Sequence, residues 1–296
     1  MKKIIIIDGN SLAFGRLPKK SESDKVTKSA VDQRDIYITR KFMKKILKLM
    51  FGIFWGYELV VTFDERNKFT FRHEMSDKYK RKKLSEKRRE QKEYIYNQIE
   101  EIKLVLDSLG IPHYSHEKWE ADDIIGMLSK HLEQKDYLIT IISGDKDILQ
   151  LISKKTRVAY IGQTSFFEIY DRHSLANLTD GLWPDQIIDI KILCGDKSDN
   201  IKGLGIRRGS GKNFTLDYWT EAEANKYIKK YHSVEGMLKN INEIPEPYKG
   251  SLSHGKEKIE FNRKLVTIVK DWKLDISPKH FNTKQIKIED NHSKYI

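Results

Sequence analysis

The chain has 296 residues, with 55 lysines and arginines against 43 aspartates and glutamates, a net charge of +12 and a pI of about 9.4. Such an excess calls for a polyanionic partner, and nucleic acid fits better than membrane: no segment approaches the ~18–20 apolar residues of a spanning helix, and Met1-Lys2-Lys3 with one short run is too brief for a signal peptide. Cys194 is the only cysteine, which excludes an internal disulfide, suits inert core packing and makes a reducing cytoplasm the expected compartment.

In chain order, Ile4 to Ile7 then Asp8 is the first of three apolar, β-branched runs that end in an aspartate. Leu59 to Phe63 then Asp64 is the second, and Leu138 to Ile142 then Ser143-Gly144-Asp145 the third. Continuous runs of this kind read as strands buried on both faces, the mark of a parallel sheet. Between the first two, Lys19 to Gln33 is a polar, charge-mixed loop, and residues 34–51 place Ile36, Met43, Ile46, Leu47 and Met50 near a helical period. Residues 93–109 repeat that period, stopping at Gly110 before Pro112. A helix from about Asp122 to Leu132 precedes the third strand, and Val158 to Ile161 and Phe166 to Ile169 read as short further strands. Pro184 opens a helix that stops at Gly195; beyond Asn200 the pattern turns helical and basic, with a polar tail from Ser277. The expected fold is therefore α/β, a mostly parallel central sheet flanked by helices, with a helical C-terminal part.

In open α/β sheets the site lies at the carboxyl ends of the strands, so three segments deliver Asp8, Asp64 and Asp145 to one edge. Glu120-Ala-Asp122-Asp123 at a helix start, Asp147, and Asp196 with Asp199 in Gly195-Asp-Lys-Ser-Asp-Asn200 add to them. Any one of these suits a turn or a first helical turn on its own. Jointly they are harder to dismiss, since two carboxylates ~4 Å apart repel by about 4 kcal/mol at an effective dielectric of ~20. Cations or shared protons must relieve such a cluster. Oxygen donors without His or Cys select a hard ion, Mg²⁺ with Mn²⁺ as a substitute. A basic protein with such a site points to phosphodiester chemistry carried by two ions. Phe69-Thr-Phe71-Arg72, then Lys78-Tyr79-Lys80-Arg81-Lys82-Lys83, interleaves aromatic and cationic residues as single-stranded nucleic acid would require.

Asp8-Gly-Asn, Phe63-Asp64, Tyr79-Lys80, Glu120-Ala-Asp-Asp123, Ser143-Gly-Asp-Lys-Asp147 and Gly195-Asp-Lys-Ser-Asp-Asn200 together resemble the 5′-nuclease superfamily over residues 3 to 215. That group holds flap endonucleases, phage 5′–3′ exonucleases and the 5′-nuclease domain of bacterial DNA polymerase I; the chain looks most like the phage replication nucleases called ribonuclease H. The resemblance implies a 5′–3′ exonuclease with flap endonuclease activity on DNA and RNA–DNA hybrids, removing RNA primers. It places Asp8, Asp64, Glu120, Asp122 and Asp145 at a first metal with Asp123 in support, and Asp147, Asp196 and Asp199 at a second. Asp64 and Asp145 would be indispensable to cleavage, and Lys80 would reach the scissile phosphate.

Arg72, Tyr79 and Lys83 would contact substrate, Lys83 standing where relatives often carry arginine. Arg16 follows Gly15, the position where relatives place an arginine. Residues about 66–118 would form an arch within an α/β nuclease domain of residues 1–195, and residues 196–296 a duplex-binding region. There a helix–three-turn–helix-like element would use Gly203, Gly205, Arg207, Arg208, Gly209, Gly211 and Lys212; the altered glycine pattern speaks against the monovalent cation found there in relatives. A monomer is expected, with a single-stranded DNA-binding protein or sliding clamp as partner by analogy. Two alternatives stand beside this reading: a PIN-like ribonuclease acting on single-stranded RNA, and a non-catalytic DNA-binding scaffold.

Overall fold

A computed structural model of the chain describes residues 1–14, 37–50, 52, 54–66, 68–81, 84–161, 167–179, 181–210 and 213–273. The loop expected over 19–33, Arg16, Lys83, Gly211, Lys212 and the tail from Ser277 lie outside the described residues.

Six strands form the central sheet in the order β3-β2-β1-β4-β5-β6: β1 (Lys2–Asp8), β2 (Glu58–Thr62), β3 (His113–Tyr114), β4 (Tyr137–Ser143), β5 (Thr156–Ile161) and β6 (Phe167–Tyr170). All neighbouring pairs are parallel except β5 with β6. The four isoleucines of β1 show why its run is unbroken. Ile5 and Ile7 face a cluster with Phe42, Ile46, Ile99 and Leu106, while Ile4 and Ile6 face another with Ile124, Leu128 and Ile148. All four are at most 1% exposed, each contributing about 1.5–3 kcal/mol by burial.

The helices Tyr37–Met50 and Glu86–Ser108 cover the first face, and Ala121–Gln134 the second. The long helix begins seven residues before the expected 93, because its first turns carry only polar side chains and show no apolar period. Its Ile95, Ile99, Ile102 and Leu106 are core residues and β3 is an edge strand, so the later half of the stretch read as an arch is built into the α/β layer. No helix among the described residues is long and apolar enough to cross a membrane.

From Leu182 onward a third cluster, including Ile192, Leu204, Trp219, Ile228 and Leu252, gathers the helices Pro184–Cys194, Glu221–Tyr231, Val234–Lys239, Tyr248–His254 and Lys256–Val266. Between the first two of these, the stretch beyond Asn200, expected to be helical, forms β structure instead: β7 (Gly195–Asp196) with β8 (Ile201–Lys202), then a hairpin of β9 (Gly205–Ser210) and β10 (Asn213–Tyr218). Ile206 is fully buried there while its neighbour Arg207 is exposed, the alternation of a strand, and Thr215 to Tyr218 of β10 are all exposed.

Candidate active site

The strand order reverses beside β1, which opens a crevice at the carboxyl ends of β1, β2 and β4. Asp8 closes β1 and is 4% exposed; it accepts from the Ser11 N–H at 2.9 Å and from Ser143 Oγ at 2.7 Å. Glycine must follow, because a Cβ on Gly9 would lie 2.2 Å from the Phe63 ring. Asn10 Oδ1 then accepts the Asp64 N–H at 2.8 Å, fixing the end of the neighbouring strand. Asp64 in turn accepts the Ala121 N–H at 2.8 Å and pairs with Lys68, drawing the helix Ala121–Gln134 and its Asp122 to the same edge. Ser143 Oγ also accepts the Asp145 N–H at 2.9 Å, so one hydroxyl ties the Asp8 carboxylate to the backbone of Asp145.

A second group lies alongside. Carboxylate oxygens of Asp147, Asp196 and Asp199 fall within 4.8 Å of one another. Asp147 is tied to Asp145 by its own N–H at 2.9 Å. Lys191 enters this group from the helix Pro184–Cys194, with Nζ against Asp147 and 2.6 Å from Asp196. Sequence reasoning passed over Lys191; the only signal was its place one helical turn before Gly195-Asp196.

The two groups differ in how their charge is balanced. Burial, against hydrogen bonds from Ser11 and Ser143 and with Asp64 and Asp145 adding repulsion, pushes Asp8 up to about 6. Burial and the charges of Asp8 and Asp145 push Asp122 well above the ordinary carboxylate range. Burial lifts Asp147 to about 6 in spite of Lys191, and raises Asp199 against the pull of Lys80. Burial would raise Asp196 too, yet hydrogen bonds from Lys191 and Ser198 hold it down at about 2. Clustered carboxylates whose charge the lysines offset only in part, with oxygen donors alone, are what divalent hard cations neutralise, so the residues fit metal ions.

Protons and cations must then compete at Asp8 and Asp147, the groups pushed up to about 6. Below the raised values these groups are protonated and donate poorly to a metal; above them they are anionic. The rise in melting temperature on adding Mg²⁺ to EDTA-treated protein should therefore be larger at pH 7.5 than at pH 5.5. Equal shifts at both pH values would show that other groups hold the ion.

Tyr79 and Lys80 join the two groups. The Tyr79 hydroxyl lies 2.9 Å from Glu120 and 3.2 Å from Asp199, and Lys80 Nζ is 3.0 Å from Glu120 and 3.7 Å from Asp199. The Lys80 N–H also donates to the Asp199 carbonyl at 3.0 Å, with Lys80 itself at φ 50°. Burial would raise the Glu120 carboxyl, but Lys80, Lys68 and Arg72 outweigh it and hold Glu120 down at about 2.

Several residues read as substrate contacts are occupied internally. Tyr79 is 3% exposed, so no base can stack on it. Arg72 is also buried: its fork grips Asp123 at 2.6 and 2.8 Å, and it donates to the carbonyls of Leu265 and Thr267 at 2.8 Å each. Asp123, fully buried, further accepts the Val269 N–H at 2.9 Å, which leaves it a structural anchor and not a metal ligand. Arg208 pairs with Glu223 at 2.6 Å. Gly203 is a packing position, since a Cβ would lie 2.4 Å from the Leu193 carbonyl. Gly205 and Gly209 lie within β9, and Arg207 stands exposed on the same strand.

Comparison with known proteins agrees with this geometry. Family models for the 5′-3′ exonuclease N-terminal resolvase-like domain and the 5′-3′ exonuclease C-terminal SAM fold match residues 3–179 and 182–289. DNA polymerase I of Bacillus subtilis is 34% identical over 283 residues, covering 93% of this chain and 29% of that protein. DNA polymerase I of Chloroflexus aurantiacus is 37% identical over 206 residues, covering 68% and 20%. The chain thus spans about a fifth to a third of the length of the curated relatives it matches. Among solved structures, the 5′-exonuclease of phage T5 with divalent zinc ions bound shares the fold at a TM-score of 0.66, with 19% identity over 90% of this chain and 89% of that one.

Proposed function

This chain belongs to the 5′–3′ exonuclease family, and on that premise we propose that it is a divalent-metal-dependent nuclease that hydrolyses phosphodiester bonds near the 5′ ends of DNA and RNA–DNA hybrids, cuts 5′ flaps, and serves RNA-primer removal. The observation that carries the reading is the meeting of two carboxylate groups at one sheet edge: Asp8, Asp64, Asp122 and Asp145 in one, Asp147, Asp196 and Asp199 in the other. Magnesium is the ion proposed for both, with manganese as a substitute, since only oxygens are offered. When bound, such ions supply an activated water and stabilise the charge of the pentavalent phosphorus and the leaving oxygen.

The protein's own part is placement and charge. One Ser143 hydroxyl orients the Asp8 carboxylate and sets the backbone of Asp145, and Asn10 sets the backbone of Asp64. Lys80 is kept cationic, well above its ordinary value, because Glu120 and neighbouring acids outweigh the burial that would lower it. Its ammonium, already between both groups, is placed to receive a phosphate oxygen. Lys191 would yield its carboxylates to the second ion or move to the substrate phosphate.

A 5′-labelled forked DNA and a linear single-stranded RNA, digested side by side with Mg²⁺, test this. Short labelled products from the fork are expected. Cleavage of the RNA with the fork intact would instead favour a PIN-like ribonuclease, and binding without cleavage of either would leave a scaffold.

A further inference from the structure

The opposite, amino-terminal edge of the sheet carries a separate cavity of about 270 Å³, whose wall includes Lys3, Tyr57, Thr140, Lys154 and Arg157. Lys3 pairs beside Leu138, and Thr140 beside Arg157, so these side chains share the face that carries Ile5, Ile7 and Ile142. Lys3 stands five residues before Asp8 along β1, about 17 Å at ~3.3 Å per residue, which removes the cavity from the carboxylates described above.

The charges here are poised and unmatched. Arg157 Nε donates to Thr140 Oγ1 at 3.0 Å, which fixes the guanidinium, and no carboxylate among the described residues takes its remaining N–H groups. Lys154 is exposed and likewise has no acidic partner among the described residues, while the Lys3 ammonium rests 5.4 Å over the Tyr57 ring. Lys155, also in the wall, is already neutralised by Asp136 at 2.8 Å. The lining carboxylate, Asp171, is engaged in capping a helix, accepting from the N–H groups of His173 and Ser174.

We propose that this cavity binds a phosphate dianion, carried by a mononucleotide or free in solution. A tethered guanidinium with an open fork matches two phosphate oxygens, and two lysines supply the remaining charge. The volume lies near the lower limit of small-molecule pockets, about 300 Å³, which suits one small molecule and not a strand. Tyr57 and the flanking Leu138 would give a nucleoside an apolar wall. None of this depends on the nuclease reading.

Isothermal titration of the full chain in EDTA, with dAMP, inorganic phosphate and adenosine, tests the proposal. One saturable site for dAMP or phosphate and none for adenosine is expected; tighter dAMP assigns the mononucleotide, equal affinities the free anion. Arg157→Ala, and independently Lys154→Glu on the exposed rim, should each weaken binding about tenfold or more, with cleavage and Asp145→Asn binding unchanged. Saturable binding of neither anion, binding of adenosine as tight as dAMP, or binding lost in Asp145→Asn but kept in both cavity variants would overturn it.

Discussion

Asp145→Asn should lower cleavage of a 5′-flap DNA by about a hundred- to a thousandfold while fold and duplex binding persist, the scale seen when one electrostatic contributor to a transition state is deleted. The substitution is nearly isosteric, and an asparagine oxygen can still accept the Asp147 N–H that Asp145 now takes at 2.9 Å. Asp145 is also exposed, so the change leaves no buried vacancy. What disappears is one negative charge facing Asp8 and Asp122, and with it part of the attraction for the ion. Single-turnover rates with saturating Mg²⁺, set beside gel-shift affinity in EDTA, separate the two effects. A rate within threefold of the parent would remove Asp145 from the reaction.

The largest effect on stability is expected at Arg72. Arg72→Met strips both hydrogen bonds from Asp123, which is fully buried, and leaves its charge with only backbone donors. Breaking one side of a buried pair costs about 3–5 kcal/mol, most of it from the stranded partner. Urea denaturation should show that loss, and adding Asp123→Asn should recover part of it, because no charge then stays buried. A midpoint unchanged by Arg72→Met would mean that Asp123 finds another cation or exchanges a proton.

The contrast between Asp8 and Arg72 explains what could be read in advance. Asp8 follows four isoleucines that leave no choice of face, and a strand end in a parallel sheet fixes where the next residue sits. Arg72 lies in the five-residue helix Phe71–Met75 and Tyr79 in the turn that follows, where an aromatic–cationic pattern looks the same whether it faces a nucleic acid or a buried carboxylate. Only the long-range partners decide between those readings, and Leu265 and Asp199 are 193 and 120 residues away. Lys191 was invisible for a related reason: one more lysine on a helix carries no mark until Asp147 folds against it. The hairpin of β9 and β10 escaped because glycines and arginines dilute its alternation.

The grip of Arg72 on the carbonyls of Leu265 and Thr267 has a temporal consequence. As the polypeptide leaves the ribosome from its amino end, the acidic strand ends emerge long before the segment that completes their support. A chain ending before that segment lacks the Leu265 and Thr267 carbonyls for Arg72 and the Val269 N–H for Asp123, so the anchor beneath the acidic strand ends is completed last.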